Sequence, residues 1–224
     1  MRKYISMFFK LVVVLSSLLG VYLSVFEHSK FMSGVKSLMY FTTQSNIWIG
    51  LWSLFLLIVM IIEHVKKKVI RKRYMYVVKL IFTISITLTG VMFCGFLAPT
   101  ATNYNPWTLN NLLTHVISPL ASLIDFFVDD FKVIYKKSDS ILTLIPPLYY
   151  LIFALICYFA DWKFSDGNNY PYFFLNFGSP VGMFGFSDDP LYFMGTFYWI
   201  LAMGILVISC GYAFLQIKTK INKD

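Results

Sequence analysis

The chain has 224 residues, 58% of them hydrophobic and 13% charged, with a mean hydropathy of +0.68. A water-soluble domain carries roughly 25% charged residues, so the composition excludes a soluble enzyme with a large core and indicates an integral membrane protein. The formal charge of +8 does not indicate nucleic acid: the basic residues stand beside apolar runs, where they set topology and meet anionic lipid.

A helix crossing a bilayer needs about 20 mostly apolar residues. In chain order the runs that qualify are Phe8–Phe26, Leu38–Ile62, Val77–Ala98, Leu109–Val128, Ile141–Ala160 and Leu191–Gln216. The first follows Met1-Arg2-Lys3 but exceeds a signal-peptide apolar region of roughly 7–15 residues, and no clean small-x-small cleavage site follows it. It reads as a retained first span. No repeat, low-complexity tract or linker divides the chain. The expected fold class is all-α: one polytopic domain, 1–224, with six transmembrane helices, in the cell membrane.

With six spans, 16 of the 19 Lys and Arg fall on the side of the two termini and 3 on the other. The positive-inside rule then places both termini in the cytoplasm. This count assigns Lys10, Lys79 and Lys218 to that basic side. Of the outward loops, 99–108 is uncharged. The loop 161–190 is long, aromatic and acidic, and rich in Gly and Pro, a composition that suits a lid or an ordered aromatic cap.

Cys94, Cys157 and Cys210 stand in three different runs, without C-x-x-C spacing or a Cys/His cluster. They read as small core residues, not as a disulfide framework or a zinc site. No metal or cofactor is expected.

His115 is the one histidine well inside an apolar run. An ionisable group there costs a few kcal/mol and is by default a candidate functional residue. Six residues into the fourth run, it lies roughly 9 Å deep. Thr42 and Thr43, four and five residues into the second run, lie roughly 6–8 Å deep from the same side. A hydroxyl beside a neutral imidazole can attack an ester carbonyl, the imidazole taking its proton. Gln44, Asn46 and Asn111 are candidates for binding substrate or stabilising the oxyanion. Asn111 shares the face of His115, and Asn46 that of either threonine. Pro119 removes the hydrogen bond to the His115 carbonyl and kinks the helix there. Asp125, ten residues on and roughly 15 Å away, is too distant to complete a triad. His28 and His64 read as solvated or interfacial. The same residues also suit helix–helix glue or a path for a small solute or ion. Few intramembrane charges and no inverted repeat argue against transport.

Three segments carry a resemblance. Tyr40-Phe41-Thr42-Thr43-Gln44-Ser45-Asn46 resembles the Y-F-T-x-Q-S-N signature of a bacterial family of six-transmembrane proteins. The stretch Asn110 to Pro119, with the later Asp125, resembles its N-L-L-x-H-x-x-x-P segment, and Tyr170-Pro171-Tyr172-Phe173-Phe174-Leu175-Asn176 resembles its Y-P-Y-P-F-L-D element. That family is similar to the eukaryotic androgen-induced and androgen-dependent membrane proteins, threonine hydrolases that cleave fatty acid esters of hydroxy fatty acids. The resemblance implies His115 as base. It implies Thr42 as nucleophile by the bacterial signature, or Thr43 by the eukaryotic T-x-x-N/D spacing to Asn46. It also implies an acyl-lipid substrate. Phe173 and Asn176 depart from the outer-loop element, and His115 and Pro119 stand one residue closer than in the eukaryotic branch. The expected function is lipid-ester hydrolysis in the bilayer; the alternatives are a small-solute transporter or channel and a non-catalytic lipid-binding protein.

Overall fold

The computed structural model describes residues 1–26, 34–99, 101, 105–164, 166–190 and 192–223. Glu27, His28 and Lys30 lie outside the described residues. Six helices are long and apolar enough to cross a membrane: α1 (Arg2–Phe26), α2 (Phe41–Lys66), α3 (Arg73–Leu97), α4 (Leu109–Val128), α5 (Lys137–Phe159) and α6 (Thr196–Ile221). The described residues form no strand.

Each expected run contains one helix, and the boundaries move where polar ends find partners. α1 starts at Arg2, whose guanidinium donates to the Val128 and Asp129 carbonyls at the end of α4. α2 starts at Phe41 and not Leu38, because Gly34–Met39 forms a separate 3-10 turn entered through Gly34 at φ 72°. Thr42 and Thr43 therefore stand in the first turn of α2, not a turn deep. α6 starts at Thr196 because the chain before it pairs elsewhere: Phe186 and Met194 bridge, and Gly195 N–H donates to the Gly185 carbonyl.

The helices are inside out compared with those of a soluble bundle. On α1 the exposed stripe is Tyr4, Phe8, Leu11, Leu15, Leu19 and Tyr22, while Ser6, Lys10, Ser16, Ser17 and Ser24 are buried. On α4 Leu120 and Ile124 are exposed, while His115, Ser118, Ser122 and Asp125 are buried. An apolar outer face with a polar inner one is the arrangement that lipid rewards, since hydroxyls and charges need partners that lipid does not supply.

α1 packs on α2 and α4, and α3 packs on α2, α4 and α6. Arg2 and Lys218 both donate to the Asp129 carbonyl, so both termini lie at one end of the bundle, here the terminal end; the other is the loop end. Three cations assigned to the basic side are not loop residues. Lys10, Lys79 and Lys218 lie within helices and are buried, because carboxylates or carbonyls receive their ammonium groups.

Candidate functional site

At the loop end, α3 and α4 meet through two π-helical turns, Phe93–Leu97 and Leu113–Ile117. In α4 the cause is Pro119. It has no N–H for the His115 carbonyl, and the ladder widens so that Ser118 N–H reaches the Leu113 carbonyl. The freed His115 carbonyl packs on Gly90, where a Cβ would come within 2.9 Å of it. Only glycine lets α3 approach so closely. The imidazole stacks on Phe93 with ring centroids 4.0 Å apart. Its Nδ1 lies 2.9 Å from the Thr114 hydroxyl and 3.2 Å from the Asn111 carbonyl. The Thr114 hydroxyl donates to the Asn110 carbonyl. Facing a carbonyl, Nδ1 carries the proton in the neutral ring, which leaves Nε2 as the acceptor.

Thr42 lies on the wall of a cavity of about 120 Å³. Leu88, Met92, Leu151, Trp199 and Met203 make most of its remaining surface apolar, and Thr89 adds a second hydroxyl. Thr43 is buried too but does not line the cavity. The long loop forms the cavity's cover. Its 3-10 turn Phe173–Leu175 brings Phe174 and Leu175 to the wall, and Tyr172 stacks on Phe174 at 5.1 Å. The Tyr172 hydroxyl faces the Thr42 side chain and the backbone N–H groups of Thr42 and Phe41. Those amides belong to the first turn of α2, which has no partner for them within the helix. Burial pushes the Tyr172 phenol up, against the opposing pull of these donors.

The amide candidates are placed differently from expectation. Asn46 is 0% exposed, and its amide nitrogen donates to the carbonyls of Thr42 at 2.8 Å and Thr114 at 3.1 Å. It ties α2 to α4, so its N–H groups are spent on the backbone, while its Oδ1 has no partner. Gln44 donates to the Leu38 carbonyl, closing the turn before α2. Asn111 donates to the Pro106 carbonyl, fixing the entry to α4. None of the three turns a donor toward the cavity. Asn46 does bring Thr42 and the His115 neighbourhood together, but no hydrogen bond joins His115 to Thr42 or Thr43 among the described residues.

Sequence reasoning missed a second polar centre. At the terminal end Lys10 lies 2.8 Å from Asp125 and 2.6 Å from Asp129, and Lys79 lies 2.8 and 3.0 Å from the same two carboxylates. Ser6 and Tyr76 donate to them as well. Arg71 pairs with Glu63 and Asp130. Burial opposes the charge of Asp129, but Lys79 and Lys10 outweigh it and hold the carboxyl well below the usual range. The signal was present: Lys10, Lys79 and Asp125 stand inside apolar runs, as His115 does. Tyr172 was legible only as part of the outer-loop element. Among the described residues no group of His, Cys, Asp and Glu is arranged to hold a metal ion.

Comparison of the chain with protein-family models, with curated proteins and with solved structures finds no match.

Proposed function

We propose that the protein is a membrane-embedded acyl-lipid ester hydrolase with Thr42 as nucleophile. The observation that carries this reading is the position of Thr42: a hydroxyl beside helix N-terminal amides, on the wall of a largely apolar cavity. An acyl chain suits those walls. An ester carbonyl placed at Thr42 has the N–H groups of Phe41 and Thr42 and the Tyr172 hydroxyl as donors for its developing oxyanion. Thr43, off the cavity, is the weaker choice. His115 serves as base through Nε2, with a water carrying the proton from Thr42, since no direct hydrogen bond joins them. Attack by Thr42 gives an acyl-threonine and releases the alcohol; water then hydrolyses the acyl group. The site faces outward in the cell membrane with both termini cytoplasmic, a reading supported by the Lys66–Lys68 run and Lys72 at the terminal end.

One observation favours a second reading, binding without catalysis: among the described residues the hydrogen bonds of His115 go to its own helix and none reaches Thr42 or Thr43. The test is hydrolysis of a fluorogenic acyl ester and a branched lipid ester by purified protein in detergent. Loss in Thr42→Ala, and a fall of about 10²–10⁴-fold in His115→Ala, with Thr43→Ala active, is the expected pattern. Activity that survives Thr42→Ala overturns the assignment. Binding of the lipid with no turnover in the wild type establishes the second reading.

A further inference from the structure

Between the charge cluster and His115 the bundle interior is not uniformly apolar. His115, Ser118, Ser122 and Asp125 follow one another at helical spacing on a single face of α4, all buried. His115 stacks on Phe93 of α3, and each of the other three faces a polar partner on a neighbouring helix. Ser118 hydrogen-bonds Ser16 of α1 at 2.8 Å, Ser122 hydrogen-bonds Thr83 of α3 at 3.2 Å, and Asp125 meets Lys10 and Lys79. Near the His115 end lies the unpartnered Oδ1 of Asn46, a fully buried acceptor that a water can occupy.

We propose that the row Asp125–Ser122–Ser118–His115 is a transmembrane proton pathway, closed in this structure by the apolar girdle of Val13, Ile49, Ile86 and Ala121. The steps along α4 rise about 4.5, 6 and 4.5 Å, gaps that one bridging water each can span. Every member of the row both donates and accepts, or exchanges a proton at its end. A proton entering the row bonds to one lone pair and another leaves further along, so only O–H and N–H bonds form and break. A hydrated metal cation has no such route. The helices are too close at Gly20 and Gly90, where an added Cβ would collide with Thr114 or the His115 carbonyl, and the carboxylates are already paired. The girdle sits between the two hydroxyl pairs: Ala121 falls between Ser118 and Ser122, and Ile86 lies one turn beyond Thr83.

The charged and titratable groups around the Asp125 end come from every packed element. They are Lys10 of α1, Glu63 of α2 with Arg71 after it, Tyr76 and Lys79 of α3, Asp129 after α4, and Lys218 of α6, which reaches the Phe127 and Asp129 carbonyls.

The experiment is proton flux into liposomes loaded with a pH-sensitive dye, driven by a potassium diffusion potential with valinomycin. Wild-type flux is expected to be small. Ala121→Ser, close in volume to the residue replaced, and, separately, Ile86→Thr, smaller and hydroxylated, should each raise it at least about tenfold. Adding Ser118→Ala with Ser122→Ala, or Asp125→Asn, should return it to the level of empty liposomes. Both opened variants conducting no better than empty liposomes, while eluting as monodisperse protein, overturns the pathway. So does raised flux that survives loss of the serines and of Asp125. Ester hydrolysis by the same preparations is a separate readout, and its absence leaves the flux result standing.

Discussion

The two ends of the bundle solve the same problem in opposite ways. At the terminal end each carboxylate oxygen of Asp125 and Asp129 has a partner: Ser6, Lys10, Lys79, Tyr76 or the Phe131 N–H. At the loop end the Asn46 and Gln44 side-chain oxygens and the Ser37 hydroxyl are buried without partners, and a cavity opens beside Thr42. A fully satisfied polar network in a low dielectric is rigid and costly to disturb. An incompletely satisfied one beside a void has capacity left for a ligand. The comparison teaches that charge in this membrane protein marks where the helices are locked, and missing partners mark where something can bind.

The largest test of that contrast is Asp129→Ala. Removing one member of a buried ion network leaves Lys10 and Lys79 to share the single carboxylate of Asp125, and a loss of about 3–5 kcal/mol is expected. Denaturation in detergent measures it, with Thr42→Ala as the loop-end counterpart, expected to cost less than about 1 kcal/mol. Equal losses would erase the distinction between the ends. Next is Gly90→Ala. The new methyl would meet the His115 carbonyl at 2.9 Å, and overpacking of this kind costs about 1–3 kcal/mol. An unchanged stability would mean that α3 and α4 are not in contact there. The smallest effect is expected from Ser16→Ala, which loses its bond to Ser118. Such interhelical hydrogen bonds average about 0.6 kcal/mol in membranes, and a loss above about 2 would show that the hydroxyl row itself carries much of the stability.

Acidity sharpens the same contrast. Asp129 has a depressed folded-state pKa, so its contribution is complete above its unfolded value of about 3.9 and is lost as pH falls through the folded value. The melting temperature contributed by the terminal end is therefore expected to hold from about pH 8 to about pH 5 and to fall only in stronger acid. A fall already between about pH 7 and pH 6 would contradict the pairing of Asp129 with its lysines.

Much of the fold was legible because lipid imposes a simple length and polarity rule, which all six runs obey. The boundaries were less so. The start of α2 depends on how Gly34–Met39 turns, and the start of α6 on a bridge between Phe186 and Met194; neither leaves a mark on apolar periodicity. His115 could be singled out because it interrupts an apolar run. The choice between Thr42 and Thr43 could not be made, since adjacent residues on a helix face different directions and only the packing of the loop decides which one meets the cavity. Lys10 and Lys79 lie at the terminal end to which they were assigned, but as buried ion-pair members, for an instructive reason. A lysine near a helix end normally reaches back to the interface, and only a carboxylate on another helix, here Asp125, keeps it inside. That partner is separated from Lys10 by 115 positions, so no local pattern reveals it.

The pairing of Lys10 bears on how the chain is made. A lysine at the centre of a spanning helix opposes insertion by about 2.5–3.5 kcal/mol, and one nearer the end by less. The first helix therefore enters the bilayer with an ammonium whose counter-ions have not yet been synthesised. Its stripe of Tyr, Phe and Leu must hold it there until the fourth helix arrives. Completion of the fourth helix is then the event that makes the first a committed member of the bundle, and a chain arrested before Asp125 should present its leading helix as a loosely held segment, open to extraction and degradation.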